Sequence, residues 1–144
     1  MRRLFIGILA VCAAFSYLSC TGEASGEPDF WLGADISWAT EYESRGYKFY
    51  NADGEERECT ELMKELGLNA VRLRVWVDPS AHGGWCSKED LLVKCQRAEK
   101  LGMAILVDFH YSDWWADPAK QNIPASWSGH SYEQMKEDLK AHTV

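Results

Sequence analysis

Cations are outnumbered in this sequence. Fifteen Lys and Arg stand against 22 Asp and Glu, and binding to phosphate backbones needs clustered cations. That balance argues against nucleic acid as a partner and is compatible with a neutral substrate. Long apolar runs are lacking too. The run Leu4–Leu18 has 15 residues, short of the roughly 20 that a membrane-spanning helix requires. Cysteine is scarce, and no spacing among Cys12, Cys20, Cys59, Cys86 and Cys95 matches a zinc motif.

The apolar run is better read as part of an export signal. Arg2 and Arg3 precede it, Ser19-Cys20 ends it, and a polar Gly/Ser-rich stretch follows, the layout of a signal peptide. Tyr17-Leu18-Ser19-Cys20 resembles a bacterial lipoprotein cleavage site, with Cys20 as the lipidated first residue of the mature protein, and ordinary secretion is the alternative. The expected division is a signal peptide over 1–20, a linker over 21–29 and a folded region over 30–144. Losing Arg2 and Arg3 and no acid leaves 13 basic against 22 acidic residues, a formal charge of −9. Setting aside Cys12 and Cys20 leaves three cysteines, so at most one internal disulfide can form. Cys59 and Cys95 fall on apolar helix faces, where a buried free thiol is the expected state. Seven Trp suit the stacking of sugar faces, although Trp is also a good core residue.

Past the linker the chain repeats itself loosely. Lys64-Glu65-Leu66-Gly67-Leu68-Asn69-Ala70-Val71 is echoed by Glu99-Lys100-Leu101-Gly102-Met103-Ala104-Ile105-Leu106, with the two glycines 35 residues apart. In each copy a helix ends at Gly and a strand follows, which is one βα unit. Cys59, Leu62, Met63 and Leu66 keep the spacing of one buried helix face. Ser87 with Asp90 resembles a capping box before a helix whose face carries Leu91, Cys95 and Ala98. Ser131 with Gln134 caps a third helix carrying Met135 and Leu139.

The strands are expected at Leu32–Ile36, Ala70–Trp76 and Ala104–His110. Side chains alternate between faces along a strand, so Val71, Leu73 and Val75 oppose Arg72, Arg74 and Trp76. In the third strand Ile105, Val107 and Phe109 oppose Asp108 and His110. The apolar set should face helices, and the polar set a barrel interior or a ligand crevice. Consecutive βα units give a right-handed parallel arrangement. A doubly wound nucleotide binder would carry a glycine-rich turn after its first strand. Here the turn reads Ser37-Trp38-Ala39-Thr40-Glu41. The expected fold is therefore an α/β (β/α)8 TIM barrel, truncated after about three of its βα units. Its functional face lies at the C-terminal strand ends, in Asp35–Trp38, Trp76–Trp85 and His110–Trp127. The last of these is long for a βα connection and dense in aromatics and acids.

Three ordered motifs at these strand ends resemble one family. They are Gly33-Ala34-Asp35-Ile36-Ser37, Val71-Arg72-Leu73-Arg74-Val75-Trp76-Val77-Asp78-Pro79, and Asp108-Phe109-His110-Tyr111-Ser112-Asp113-Trp114-Trp115-Ala116-Asp117-Pro118, continued by Gln121, Pro124 and Trp127. Together they resemble the arabinogalactan endo-β-1,4-galactanases of glycoside hydrolase family 53, from Phe30 onward. The resemblance implies a (β/α)8 barrel that hydrolyses β-1,4-galactan or arabinogalactan with retention. It implies a glutamate acid/base at the end of strand four and a glutamate nucleophile at the end of strand seven, neither of them within this chain. It calls for no cofactor and no metal here, calcium in relatives lying outside this region.

On that resemblance Arg72 matches the position beneath the nucleophile, where a fixed guanidinium keeps a carboxylate ionised. The alternative is a buried ion pair with Asp35 or Asp108 across the barrel. His110 is the second supporting residue, either bonding the sugar or orienting a carboxylate, with a purely structural role as its alternative. Asp35, Arg74, Trp76, Asp113 and Trp115 are the expected substrate contacts, whereas Trp114 and Trp127 equally suit packing of the loop. The expected partner is the polysaccharide, with the membrane reached only through a lipid on Cys20, and the protein is expected to be a monomer. Two rivals stand beside this reading. One is a polysaccharide-binding lipoprotein without catalysis. The other is a barrel metal hydrolase using Asp108, His110 and Asp113 as ligands.

Overall fold

The computed structural model describes Pro28 and residues 30–144. The leader, most of the linker and Cys20 lie outside the described residues. In chain order the elements are β1 (Gly33–Asp35), α1 (Ala39–Ser44), β2 (Phe49–Tyr50), β3 (Glu56–Arg57), α2 (Cys59–Glu65), β4 (Ala70–Val75), α3 (Lys88–Lys100), β5 (Ala104–Phe109) and α4 (Tyr132–Thr143). Short 3-10 turns at Ser80–His82 and Ala125–Trp127 interrupt the two long loops.

β1, β4 and β5 form one parallel sheet with β4 in the centre. The register sets Asp35 beside Arg72, and Arg74 beside Asp108. Partners in a parallel pair share a face, so these four polar residues point to one side. The opposite side of β4 is the core: Val71, Leu73 and Val75 are all buried, each contributing about 1.5–3 kcal/mol by leaving water. α3 covers them with Leu91 and Ala98, and Cys59 of α2 joins the same cluster. All three strands sit where alternation puts them, one or two residues shorter at their ends.

The helix signals hold with two corrections, the first being that Leu66, expected on the buried face of α2, stands at its C-cap and is 63% exposed. Gly67 and Gly102 adopt φ of +90° and +61°, the left-handed stop expected of each. Ser131 and Gln134 form a reciprocal capping box. Ser87 caps α3 by accepting from the Asp90 amide, but the Asp90 carboxylate does not return the bond to Ser87. It accepts instead from the Cys86 amide at 2.6 Å, the Thr40 hydroxyl at 2.6 Å and Lys94 Nζ at 2.6 Å. Lys94 is fully buried. A buried ammonium draws a carboxylate more strongly than a neutral amide does, so the Ser87 cap stays and the return half of the box is not made.

α1 and the hairpin β2–β3 were not expected from the sequence. They fill the first crossover between β1 and α2, and the hairpin turns at Asn51, whose side-chain oxygen accepts from the Asp53 and Glu55 amides.

Candidate functional site

The polar face of the sheet ends in a line of charge. Arg72 Nη1 donates to Asp35 at 2.7 Å and Nη2 donates to Asp108 at 2.5 Å. His110 Nε2 lies 2.9 Å from the same Asp108 oxygen. A carboxylate can only accept, so Nε2 carries the proton and the pair fixes the imidazole. His110 Nδ1 is buried without a partner among the described residues. Arg72 thus bridges the two aspartates, the pairing expected of its alternative role, and its side chain is 45% exposed among the described residues.

Asp35 is further tied into the turn behind β1. Its Oδ1 accepts from the Ser37 hydroxyl at 2.6 Å and the Ser37 amide at 2.9 Å. Burial pushes the Asp35 carboxyl up, but those two hydrogen bonds with Arg74 and Arg72 outweigh it and hold the group below the usual carboxylate range. Ser37 in turn accepts from the Arg74 amide at 2.8 Å, so the first two strand ends are locked together.

The aromatic residues form a second layer above this line. Trp76 is 1% exposed, and it packs against Trp38, Trp114, Trp115 and His110. It belongs to the wall and leaves no free face of its own. Arg74, marked in the sequence as a substrate contact, is likewise covered at 3% exposed. Trp114 stacks on His82 at 4.1 Å between centroids and so packs the loops together. Trp127 lines a separate recess between β5 and α4 with Met135 and Leu139. Trp115 is the indole of the group that opens to solvent, at 44% exposed. It borders a cleft of about 680 Å³ shared with His82, Asp113, Lys120 and Asn122.

Asp113 holds the rim of that cleft. Its Oδ1 accepts from the Asp78 amide at 3.0 Å and its Oδ2 from the Ala125 amide at 2.7 Å. Each oxygen thus anchors a different loop. Asp108 and His110 are paired with each other, and among the described residues no group of three His, Cys, Asp or Glu is gathered to hold a metal ion. Cys59, Cys86 and Cys95 are free thiols. The residue that sequence reasoning passed over is Lys94, which donates to the Ser37 carbonyl at 2.8 Å from behind the sheet. The spacing Leu91, Lys94, Ala98 places it on the buried stripe of α3, a signal hidden by its charge.

A parallel sheet with helices on its apolar side and charged, aromatic strand ends on the other is a section of an α/β barrel with its functional face exposed. The profile of glycosyl hydrolase family 53 matches residues 31–144, and the chain belongs to that family. It is 39% identical over 121 residues to the endo-beta-1,4-galactanase of Bacillus subtilis (strain 168), an alignment covering 80% of this chain and 28% of that protein. It is 35% identical over 128 residues to the arabinogalactan endo-beta-1,4-galactanase of Cellvibrio japonicus (strain Ueda107), covering 89% of this chain and 33% of that one. The solved Ignisphaera aggregans GH53 catalytic domain superposes with a TM-score of 0.71 at 38% identity, over 83% of this chain and 37% of that one. The chain thus spans about a third of the length of the relatives it matches.

Proposed function

We propose that this chain forms the first section of the active-site wall of an endo-acting, retaining β-1,4-galactanase that cuts galactan or arabinogalactan. The observation that carries the reading is the line Asp35–Arg72–Asp108–His110, which meets the indole cluster through His110 and Trp76, at the strand ends where barrel enzymes do their chemistry. The names of the relatives support the same substrate class.

Retaining hydrolysis needs two carboxyl groups about 5 Å apart across the scissile bond. Asp35 and Asp108 are both engaged by Arg72, and Asp113 is engaged by two amides. The family resemblance assigns the acid/base and the nucleophile to glutamates at the ends of the fourth and seventh barrel strands, and the three aspartates serve as support. In this reading the Arg72 guanidinium keeps the nucleophile ionised through its positive charge, and Asp108 holds Arg72 and His110 in place. Asp113 and Trp76 support the cleft, and Trp115 offers a ring face to the sugar. No cofactor is required. The protein acts as an exported monomer, held at the bacterial envelope by a lipid on Cys20.

The test is an assay of the intact gene product on β-1,4-galactan, arabinogalactan, β-glucan and β-mannan. Release of galacto-oligosaccharides whose new reducing ends keep the β configuration is expected. Binding of galactan with no release would replace the reading with a polysaccharide-binding lipoprotein. Preference for glucan or mannan would overturn the substrate class.

A further inference from the structure

Arg74 is a buried cation in unusual company. Its guanidinium carbon lies 4.0 Å from the ring centroid of Trp115, 4.7 Å from that of Trp76 and 5.0 Å from that of Trp38. Its Nε is buried and has no hydrogen-bond partner among the described residues. Its Nη2 reaches Cys86 Sγ at 3.9 Å, a weak acceptor. Asp35 and Asp108, the carboxylates of the same sheet face, are bound to Arg72 instead. The groups packed directly on the Arg74 guanidinium are thus the faces of three indoles, an attraction that is strongest where water is excluded, while Asp35 senses its charge from farther off.

We propose that Arg74 is a positioning residue for the sugar platform: it clamps the inner face of Trp115 so that the rest of the ring is presented to the cleft. This deepens the sugar-cleft reading given above and rests on it. The three indoles come from three different segments, after β1, β4 and β5, and the guanidinium is the group they share. Trp115 itself sits in a long loop, where an unclamped indole would sample several rotamers. Fixing it in the free protein removes that ordering cost from the binding step. The ligand is a β-linked galactosyl unit. Its axial 4-hydroxyl leaves the opposite ring face as a continuous patch of C–H groups, which a flat, immobile indole matches.

A direct sugar contact by Arg74 is a different claim, and its burial speaks against it. A clamp also differs from general stabilisation, because its effect must pass through Trp115. The experiment is therefore a cycle in the intact protein, with kcat and KM measured on soluble β-1,4-galactan for Trp115→Ala, Arg74→Met, Arg74→Lys and Trp115→Ala combined with Arg74→Lys. Trp115→Ala is expected to raise KM about tenfold, and Arg74→Met about fivefold with the loss carried by KM rather than kcat. Arg74→Lys keeps a cation at the site and is expected to recover part of that loss. With Trp115 already removed, Arg74→Lys is expected to change KM no further.

An unchanged KM in Arg74→Met, or the same KM rise for Arg74→Lys with and without Trp115, would overturn the clamp and leave the cleft reading standing. An unchanged KM in Trp115→Ala, or no galactan turnover by the parent protein, would overturn the cleft reading and the clamp with it. Should Arg74→Met fail to fold, the cycle between Arg74→Lys and Trp115→Ala decides the question by itself.

Discussion

Lys94 and Asp90 form an ion pair one helical turn apart, 2.6 Å from nitrogen to oxygen, with the lysine side chain 0% and the aspartate 10% exposed. The pair lies behind the strand ends that carry the site. It joins α3 to the Ser37 turn through Lys94 and to α1 through Thr40. Removing one partner of such a pair strands the other's charge away from water. Lys94→Met is expected to destabilise the fold by about 3 kcal/mol or more. The double variant Lys94→Met with Asp90→Asn should recover a substantial part of that, because no charge is then left unpaired. Urea unfolding of the parent and the two variants checks it, and equal losses in the single and double variants would count against the pair.

The buried thiols Cys59 and Cys86 should be inert in the native protein. Burial pushes Cys59 up to about 11, helped by the neighbouring Glu58 and Glu43 charges, and burial also raises Cys86 and Cys95. The thiolate is the reactive species. At pH 8 iodoacetamide should therefore label the buried Cys59 and Cys86 only as fast as the protein unfolds, the half-buried Cys95 sooner, and all three promptly in urea. Peptide mass mapping of native and denatured samples reads the difference, and rapid native labelling of Cys59 would contradict its placement.

Much of the site was legible because alternation along a strand is a local rule. It put Arg72, Arg74, Asp108 and His110 on one face without any knowledge of the fold, and the two-sided ion pair of Arg72 follows from that face and the register. Burial was less legible, because it depends on what arrives from elsewhere. Arg72 and Arg74 are two residues apart on the same face, yet one is exposed and the other covered. The difference is made by Trp38 and Trp115, from segments 36 residues before and 41 after Arg74. The hairpin β2–β3 escaped for another reason. Its two-residue strands are too short for alternation to register, and Asp53-Gly54 was the one turn signal present.

Asp113 separates a structural role from a sugar contact. If its oxygens serve as anchors for the Asp78 and Ala125 amides, Asp113→Asn should behave much like Asp113→Ala. An amide side chain has one acceptor oxygen, and its NH2 group would face the second backbone N–H. Both variants are expected to lose about 1 kcal/mol of stability and to become more open to proteolysis between Asp113 and Ala125. A sugar ligand would give another pattern, with Asp113→Asn retaining most of the galactan affinity and the native proteolysis rate. Limited proteolysis beside a galactan titration distinguishes the two.

Asp35 should make the protein acid-sensitive in a defined window. Its folded-state carboxyl titrates below the ordinary 3.8 because the Ser37 hydrogen bonds, Arg74 and Arg72 outweigh the burial that raises it. A depressed carboxyl stabilises the fold wherever it is ionised in both states. That contribution is complete above the unfolded value and is lost as pH falls from there through the lower folded value. Stability of the parent protein should therefore drop more steeply below about pH 4 than that of Asp35→Asn, which starts lower at neutral pH and has no such carboxyl to protonate. Melting curves of the two proteins from pH 7 to pH 2.5 should converge towards the acid end. Parallel curves across that range would mean that the bonds from Ser37 and Arg72 do not favour the ionised form of Asp35.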